Sequence, residues 1–258
     1  MATYLDRIIA RHREVAAHDE RPLAALIAQA QSMSAARGFR AALADVPHLA
    51  VISEVKRRSP SKGDLNAGLD PAVLAGEYER GGASCLSVLT DEEFFGGSVA
   101  DLQAARGACA LPVLRKDFTV SAHDVVDARL MGADCVLLIA AALEPAELIS
   151  FHHLADEIGL DVLVEIHDES ELEVALAAGA TLVGVNQRDL VTFQVDHERA
   201  LRMAGVMPPG VVRVAESGVR GAEDAASLHA AGYHAVLVGE TLVTSGDPAA
   251  AIGELTRA

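Results

Sequence analysis

Lysine is scarce in this chain: of the 21 basic residues counted as Lys plus Arg, only Lys56, Lys62 and Lys116 are lysines. Arginine serves wherever positive charge alone is needed. A retained lysine therefore marks a need for a compact ammonium that can approach and release a proton. Cations as a class are also outnumbered, with a net charge of −16, which excludes nucleic acid or an anionic membrane as a global partner. An anionic small molecule stays open, because cations confined to one pocket set the local field whatever the overall sign. No apolar run approaches the length of a membrane span, and the N-terminal residues lack the apolar core of a secretory leader, so a cytoplasmic location is expected. Cys85, Cys109 and Cys135 are odd in number with no C-x-x-C pair; they read as reduced, mostly buried thiols, a catalytic cysteine being the sharper alternative. Tryptophan is absent, and aromatic residues make up 3% of the chain.

What is present is ordinary globular material, 51% hydrophobic and 22% charged. Residues 1–46 read as an extension of two or three helices. Leu5, Ile8 and Ile9, then residues 23–30 and 35–44, keep helical spacing with no strand between them. From His48 a unit recurs: a Val, Leu and Ile-rich run, a polar loop, an amphipathic helix, then a glycine. Gly82, Gly132, Gly159, Gly179 and Gly232 suit the left-handed position that closes a helix. Apolar runs near 49–52, 85–89, 111–114, 135–140, 161–166, 181–185, 211–215 and 234–238 predict the strands, and 71–80, 122–131 and 145–157 predict helices between them. About eight such units fit an α/β fold, a (β/α)8 TIM barrel over residues 47–258 behind the helical extension. Continuous apolar strands suit parallel strands covered on both faces. An open doubly wound sheet is the main rival, and its usual G-x-G-x-x-G signal is missing.

In a parallel barrel the chemistry lies at the carboxyl ends of the strands. Polar residues collect there: Glu54 and Lys56 share one face of the first strand, Lys116 ends the third, and Glu165 the fifth. Asn186 and Arg188 follow the sixth, Glu216, Ser217 and Gly218 the seventh, and Gly239 and Thr241 the eighth. For any one of them a barrel-end salt bridge is the plain alternative; their convergence points to a site. The last two loops occupy the place where such barrels hold a phosphate on backbone N–H groups; tight turns at Gly218 and Gly239 are the alternative. Lys116 and Glu165 suit general acid and base work, with each expected to shift toward neutrality, and a Schiff-base lysine at Lys116 is the other reading. His152 and His153 are adjacent on a helix, and His123, His167 and His197 are scattered, so no metal is expected.

The motifs in order resemble the indole-3-glycerol phosphate synthase family over nearly the whole chain. They are Glu54-Val55-Lys56-Arg57-Arg58-Ser59-Pro60-Ser61-Lys62-Gly63, residues 87–98, Leu114-Arg115-Lys116-Asp117-Phe118, residues 163–167, 184–190 and Glu216-Ser217-Gly218-Val219. The resemblance implies closure of an indole ring from 1-(2-carboxyphenylamino)-1-deoxyribulose 5-phosphate, with loss of carbon dioxide and water and without metal or organic cofactor, in tryptophan biosynthesis. It implies Lys116 as the acid toward the substrate carbonyl oxygen, and Lys56 as partner of the carboxylate and helper in loss of the hydroxyl. Glu165 would move the proton, with Glu54, Asn186 and Glu216 orienting lysines and hydroxyls. Ser217, Gly218, Gly239 and Thr241 would hold phosphate, Arg188 and Ser59 would assist, and Phe94 and Phe118 would flank the aromatic ring. Gln187 and Thr241 stand where the family commonly has Asn and Ser, both keeping the hydrogen-bonding type. A different phosphorylated-sugar enzyme on the same barrel, such as phosphoribosylanthranilate isomerase, and a catalytically silent barrel are the rival readings. The partner expected is a small phosphorylated substrate, with no nucleic acid or membrane, on a monomer or weak homodimer. The loop 57–63 is expected to cover bound substrate, with Gly63 allowing the movement.

Overall fold

Short apolar segments capped by Ser, Asp and Pro alternate along the chain, and the computed structural model turns them into strands and helices over residues 3–59, 62–189 and 191–257. The strands β1 (Ala50–Val55), β4 (Cys85–Leu89), β5 (Val113–Lys116), β6 (Cys135–Ile139), β7 (Asp161–Ile166), β8 (Leu182–Asn186), β9 (Val212–Glu216) and β10 (Ala235–Val238) form a closed barrel in sequence order, with every pairing parallel. Between β1 and β4, the short strands β2 (Arg58–Ser59) and β3 (Gly63–Asp64) pair antiparallel. The predicted strand limits shift by one to three residues at several ends, most at the first strand, which runs on to Val55. Helix stops fall where expected, since Gly82, Gly132, Gly159, Gly179 and Gly232 all adopt positive φ.

Helices α4 (Pro71–Gly81), α5 (Val99–Ala108), α6 (Ala122–Leu130), α7 (Pro145–Glu157), α8 (Glu169–Ala177), α9 (Arg199–Ala204), α10 (Ala222–Ala230) and α12 (Pro248–Thr256) follow the strands, with the short α11 (Glu240–Val243) directly after β10. Side-chain caps set the starts of α4, α5, α6, α8 and α12: Asp70, Ser98, Ser121, Asp168 and Asp247 each accept a backbone N–H of the first turn. One apolar layer lies between these helices and the outer strand faces. A second fills the barrel itself, where Ile52, Leu114, Leu137, Leu163, Val214 and Leu237 meet. Because strand side chains alternate, the next inward residue beyond Ile52, Leu114, Leu163 and Val214 is Glu54, Lys116, Glu165 and Glu216. An apolar floor thus carries a ring of charge at the carboxyl ends.

The extension forms α1 (Tyr4–Ala16), α2 (Leu23–Gln31) and α3 (Phe39–Ala44), and it reaches both ends of the barrel. Phe39 and Leu43 of α3 join the interior layer and close the amino-terminal end. Helix α2 packs on α6 at the side. Helix α1, capped by a reciprocal Thr3 and Asp6 box, lies at the carboxyl-terminal mouth, where Tyr4, Leu5 and Ile8 line the cavity. Among the described residues no helix is long and apolar enough to cross a membrane.

Candidate active site

The ring of charge opens into a cavity of about 520 Å³. Glu54, Lys56, Ser59, Lys116, Phe118, Glu165, Asn186, Arg188, Glu216, Ser217, Gly218, Gly239 and Thr241 all line it. Sequence reasoning singled out each of these, and the barrel brings them to one place. Phe94 is the exception, and Phe95 lines the cavity in its place. The cause is local: Asp91 Oδ1 accepts the N–H groups of both Phe94 and Phe95, at 2.6 and 3.0 Å, and so bends the loop after β4. Phe94 then packs edge-on to Tyr4 at 5.9 Å, and Phe95 stands 6.1 Å from Phe118.

Two lysine–glutamate pairs occupy the mouth. Lys56 Nζ donates to Glu54 Oε1 within β1 and the residue after it. Lys116 Nζ donates to Glu165 Oε2 at 3.3 Å, and Asn186 Nδ2 donates to the other oxygen of Glu165 at 3.0 Å. Burial alone would lower Lys116, but Glu165, Glu216 and Glu54 outweigh it and raise the ammonium above its ordinary value. Burial would likewise raise Glu165, yet Lys116 holds its carboxyl below the usual range. The expected drift of both groups toward neutrality is therefore corrected: Lys116 sits among carboxylates, not cations, and the pair is held ionised. A free amine for Schiff-base formation is disfavoured by the same charges.

Glu216 behaves oppositely. It is 2% exposed, its Oε1 has no hydrogen-bond partner among the described residues, and burial together with the charge of Glu165 pushes its carboxyl well above the ordinary value. A partly unsatisfied carboxyl that lines a cavity is suited to bind a polar group there.

Two glycines make room for these carboxylates. A Cβ on Gly184 would stand 2.0 Å from Glu216 Oε1, and one on Gly239 would stand 2.4 Å from Glu54 Oε1. Gly239 has a negative φ of −121°, so space and not a left-handed turn requires it. Gly218 needs both, with φ +77° and a Cβ position 2.4 Å from Val195. Ser217 beside it holds φ +67° without being glycine, a strained conformation that clusters at functional sites. Thr241 Oγ1 donates to the Val219 carbonyl at 2.8 Å, which ties the last two loops together.

The cationic loop after β1 is only partly turned to the cavity. Arg57 is bound to Asp101 and to the Leu69 carbonyl, and Arg58 to the carbonyls of Glu92 and Glu93. Ser59 and Lys62 line the cavity, with Lys62 Nζ 3.5 Å from Glu240. Pro60 and Ser61 of the expected cover, and Leu190 of a later motif, lie outside the described residues. Sequence reasoning read Leu5 and Ile8 only as the apolar spacing of a helix in the extension and did not single out Tyr4, Leu5 or Ile8 for the site. Their spacing on one side of α1 was the available signal.

The family model for indole-3-glycerol phosphate synthase matches residues 5–255. The chain is 50% identical over 242 residues to the indole-3-glycerol phosphate synthase of Nocardioides sp., covering 89% of this chain and 93% of that protein. It is 49% identical over 258 residues to that of Beutenbergia cavernae, covering 99% and 96%. To indole-3-glycerol phosphate synthase 2 of Streptomyces coelicolor it is 54% identical over 217 residues, covering 84% of each. A thiamine phosphate pyrophosphorylase from Pyrococcus furiosus shares the fold, with a TM-score of 0.60 at 15% identity, covering 81% of this chain and 94% of that one. With these matches spanning the barrel, the extension and the charged mouth, the chain belongs to the indole-3-glycerol phosphate synthase family.

Proposed function

We propose that this mouth closes the indole ring of 1-(2-carboxyphenylamino)-1-deoxyribulose 5-phosphate through the ionised pair of Lys116 and Glu165. The observation that carries the reading is the placement of that pair at the carboxyl-terminal mouth of the barrel. Lys116 Nζ stands 3.3 Å from Glu165 Oε2, and Asn186 holds the other oxygen of Glu165, so a proton donor and a proton acceptor lie side by side in the cavity.

Lys116 donates a proton to the substrate carbonyl oxygen as the aromatic carbon attacks, so that the developing alkoxide never bears full charge. Lys56, released from Glu54 by a competing carboxylate, pairs with the benzoate group before it leaves as carbon dioxide. The same ammonium then assists departure of the hydroxyl as water. Glu165 takes the ring proton that restores aromaticity, while Asn186 fixes its orientation through the 3.0 Å hydrogen bond. Glu216, with one oxygen unpartnered, binds a substrate hydroxyl. Ser217, Gly218, Gly239 and Thr241 hold the phosphate, with Arg188 and Ser59 beside them, and Phe118 with Phe95 flanks the aromatic ring. A cavity of about 520 Å³ suits a substrate of this size. Every group in this account comes from one chain, so a monomer suffices.

Incubation of the protein with this substrate, followed by indole absorbance or fluorescence, tests the reading. Indole formation without added metal or cofactor is expected. Substrate that binds and stays unchanged would favour a silent barrel.

A further inference from the structure

Helix α1 carries Arg11, His12 and Arg13 in succession, and each meets an acid of the barrel. Arg11 Nε lies 3.2 Å from Glu93, and Arg13 makes two hydrogen bonds of 2.8 Å to Glu147. Both arginines are well exposed, and exposed ion pairs contribute little. His12 differs. Its Nε2 lies 3.0 Å from Asp91 Oδ2 and 3.9 Å from Asp117 Oδ1, both carboxylates are buried, and its ring stands 5.5 Å from that of Phe118. Asp117 follows Lys116 directly and is fixed by Arg115 Nη2 at 3.0 Å, by Thr90, and by the Phe118 N–H at 2.8 Å.

We propose that His12 is a positioning residue: as an imidazolium held between Asp91 and Asp117 and against Phe118, it fastens α1 across the mouth and sets the apolar wall formed by Leu5 and Ile8. One turn of helix separates His12 from Ile8, and Ile8 is 2% exposed, so the wall and its fastening move as one rigid piece. The three side chains place their ligand atoms within 4.8 Å of one another. With a guanidinium on Asp117 and two N–H groups on Asp91, they are an ion-paired cluster and not an open metal site.

The charges facing His12 come from the loop after β4 (Asp91), the end of β5 (Asp117, with Arg115 behind it) and α6 (Asp124). Arg11 and Arg13 flank it on its own helix. Burial pushes the imidazole down, but the hydrogen bond to Asp91 and the three aspartate charges outweigh burial and raise it. A raised folded value means that the fastening is complete below the ordinary histidine pKa of about 6.5 and is lost as pH rises through the folded value.

The kinetic test rests on the reaction assigned above, and amide hydrogen exchange of α1 without substrate is independent of it. In His12→Ala the KM is expected to rise by about tenfold with kcat little changed, as befits loss of a charge-assisted hydrogen bond that acts on binding. Amides of residues 4–16 are expected to exchange faster while those of the barrel strands do not change. In wild type, KM should climb at alkaline pH. His12→Lys should keep the low KM and lose that climb, because its ammonium stays charged. If His12→Ala does not fold, the comparison of wild type with His12→Lys carries the test. Unchanged KM and α1 protection in His12→Ala, or a His12→Lys profile that climbs like wild type, would overturn the proposal.

Discussion

Replacing Gly184 by alanine probes how tightly the mouth is built. A Cβ there would stand 2.0 Å from Glu216 Oε1, 3.1 Å from its Cδ and 3.3 Å from Leu163 Cδ1. Ordinary contact between such atoms needs about 3.5 Å, so the Glu216 carboxyl must withdraw by about 1 Å or more. As the far end of a flexible side chain that lines the cavity, the carboxyl can give way into that space, so the lost position matters more than the overpacking. Overpacking relieved in this way falls toward the lower end of the usual range of about 1–3 kcal/mol. In a chain of this size that lowers Tm by about 2–4 °C per kcal/mol. A group displaced by about 1 Å from its working position also costs up to about a hundredfold in rate. Gly184→Ala should therefore be less thermostable and much slower. The cause is isolated by adding Glu216→Ala, which removes the colliding carboxyl: in that background the stability cost of Gly184→Ala should largely vanish. Equal cost in both backgrounds, or native kcat in the single variant, would refute the reasoning.

Phe39→Ala should empty the amino-terminal end of the barrel, where Phe39 is fully buried, and cost about 3–5 kcal/mol in denaturant unfolding while leaving KM nearly unchanged. Glu216 has a folded pKa raised above its unfolded value of about 4.3, so it favours the folded state at low pH and loses that advantage as pH rises through the folded value. Glu216→Gln, neutral at every pH, should show a smaller fall in Tm between weakly acidic and alkaline buffers than wild type. An identical fall in both would show that Glu216 is ionised in the folded protein.

The barrel was legible because its signals are local. A glycine at positive φ closes helices at Gly82, Gly132, Gly159, Gly179 and Gly232, and Asp70 or Ser121 opens the next. Period-two alternation carried the charged residues from Ile52 to Glu54 and from Leu163 to Glu165 onto the inner face. The rest depended on contacts between distant segments. Nothing around Lys116 in the chain predicts three carboxylates about its ammonium, since Glu54, Glu165 and Glu216 arrive from other strands. Helix α1 reads as part of a helical extension packed on the barrel, and only the fold shows that its Ile8 lies against the cavity. Phe94 and Phe95 are equivalent in sequence, and the Asp91 turn decides which faces inward. Gly239 reads as a turn or phosphate-loop glycine, and only the fold shows that a Cβ there would also collide with Glu54 on the neighbouring strand.

The central claim is that Lys116, kept as an ammonium by its carboxylate neighbours, is the acid that starts ring closure. The direct measurement is kcat of Lys116→Ala on the carboxyphenylamino deoxyribulose phosphate, with the barrel shown intact by circular dichroism. Loss of a positioned acid costs about 10²–10⁴ in rate, and a fall of that size is the predicted result. Turnover close to wild type in a folded Lys116→Ala protein would contradict the account.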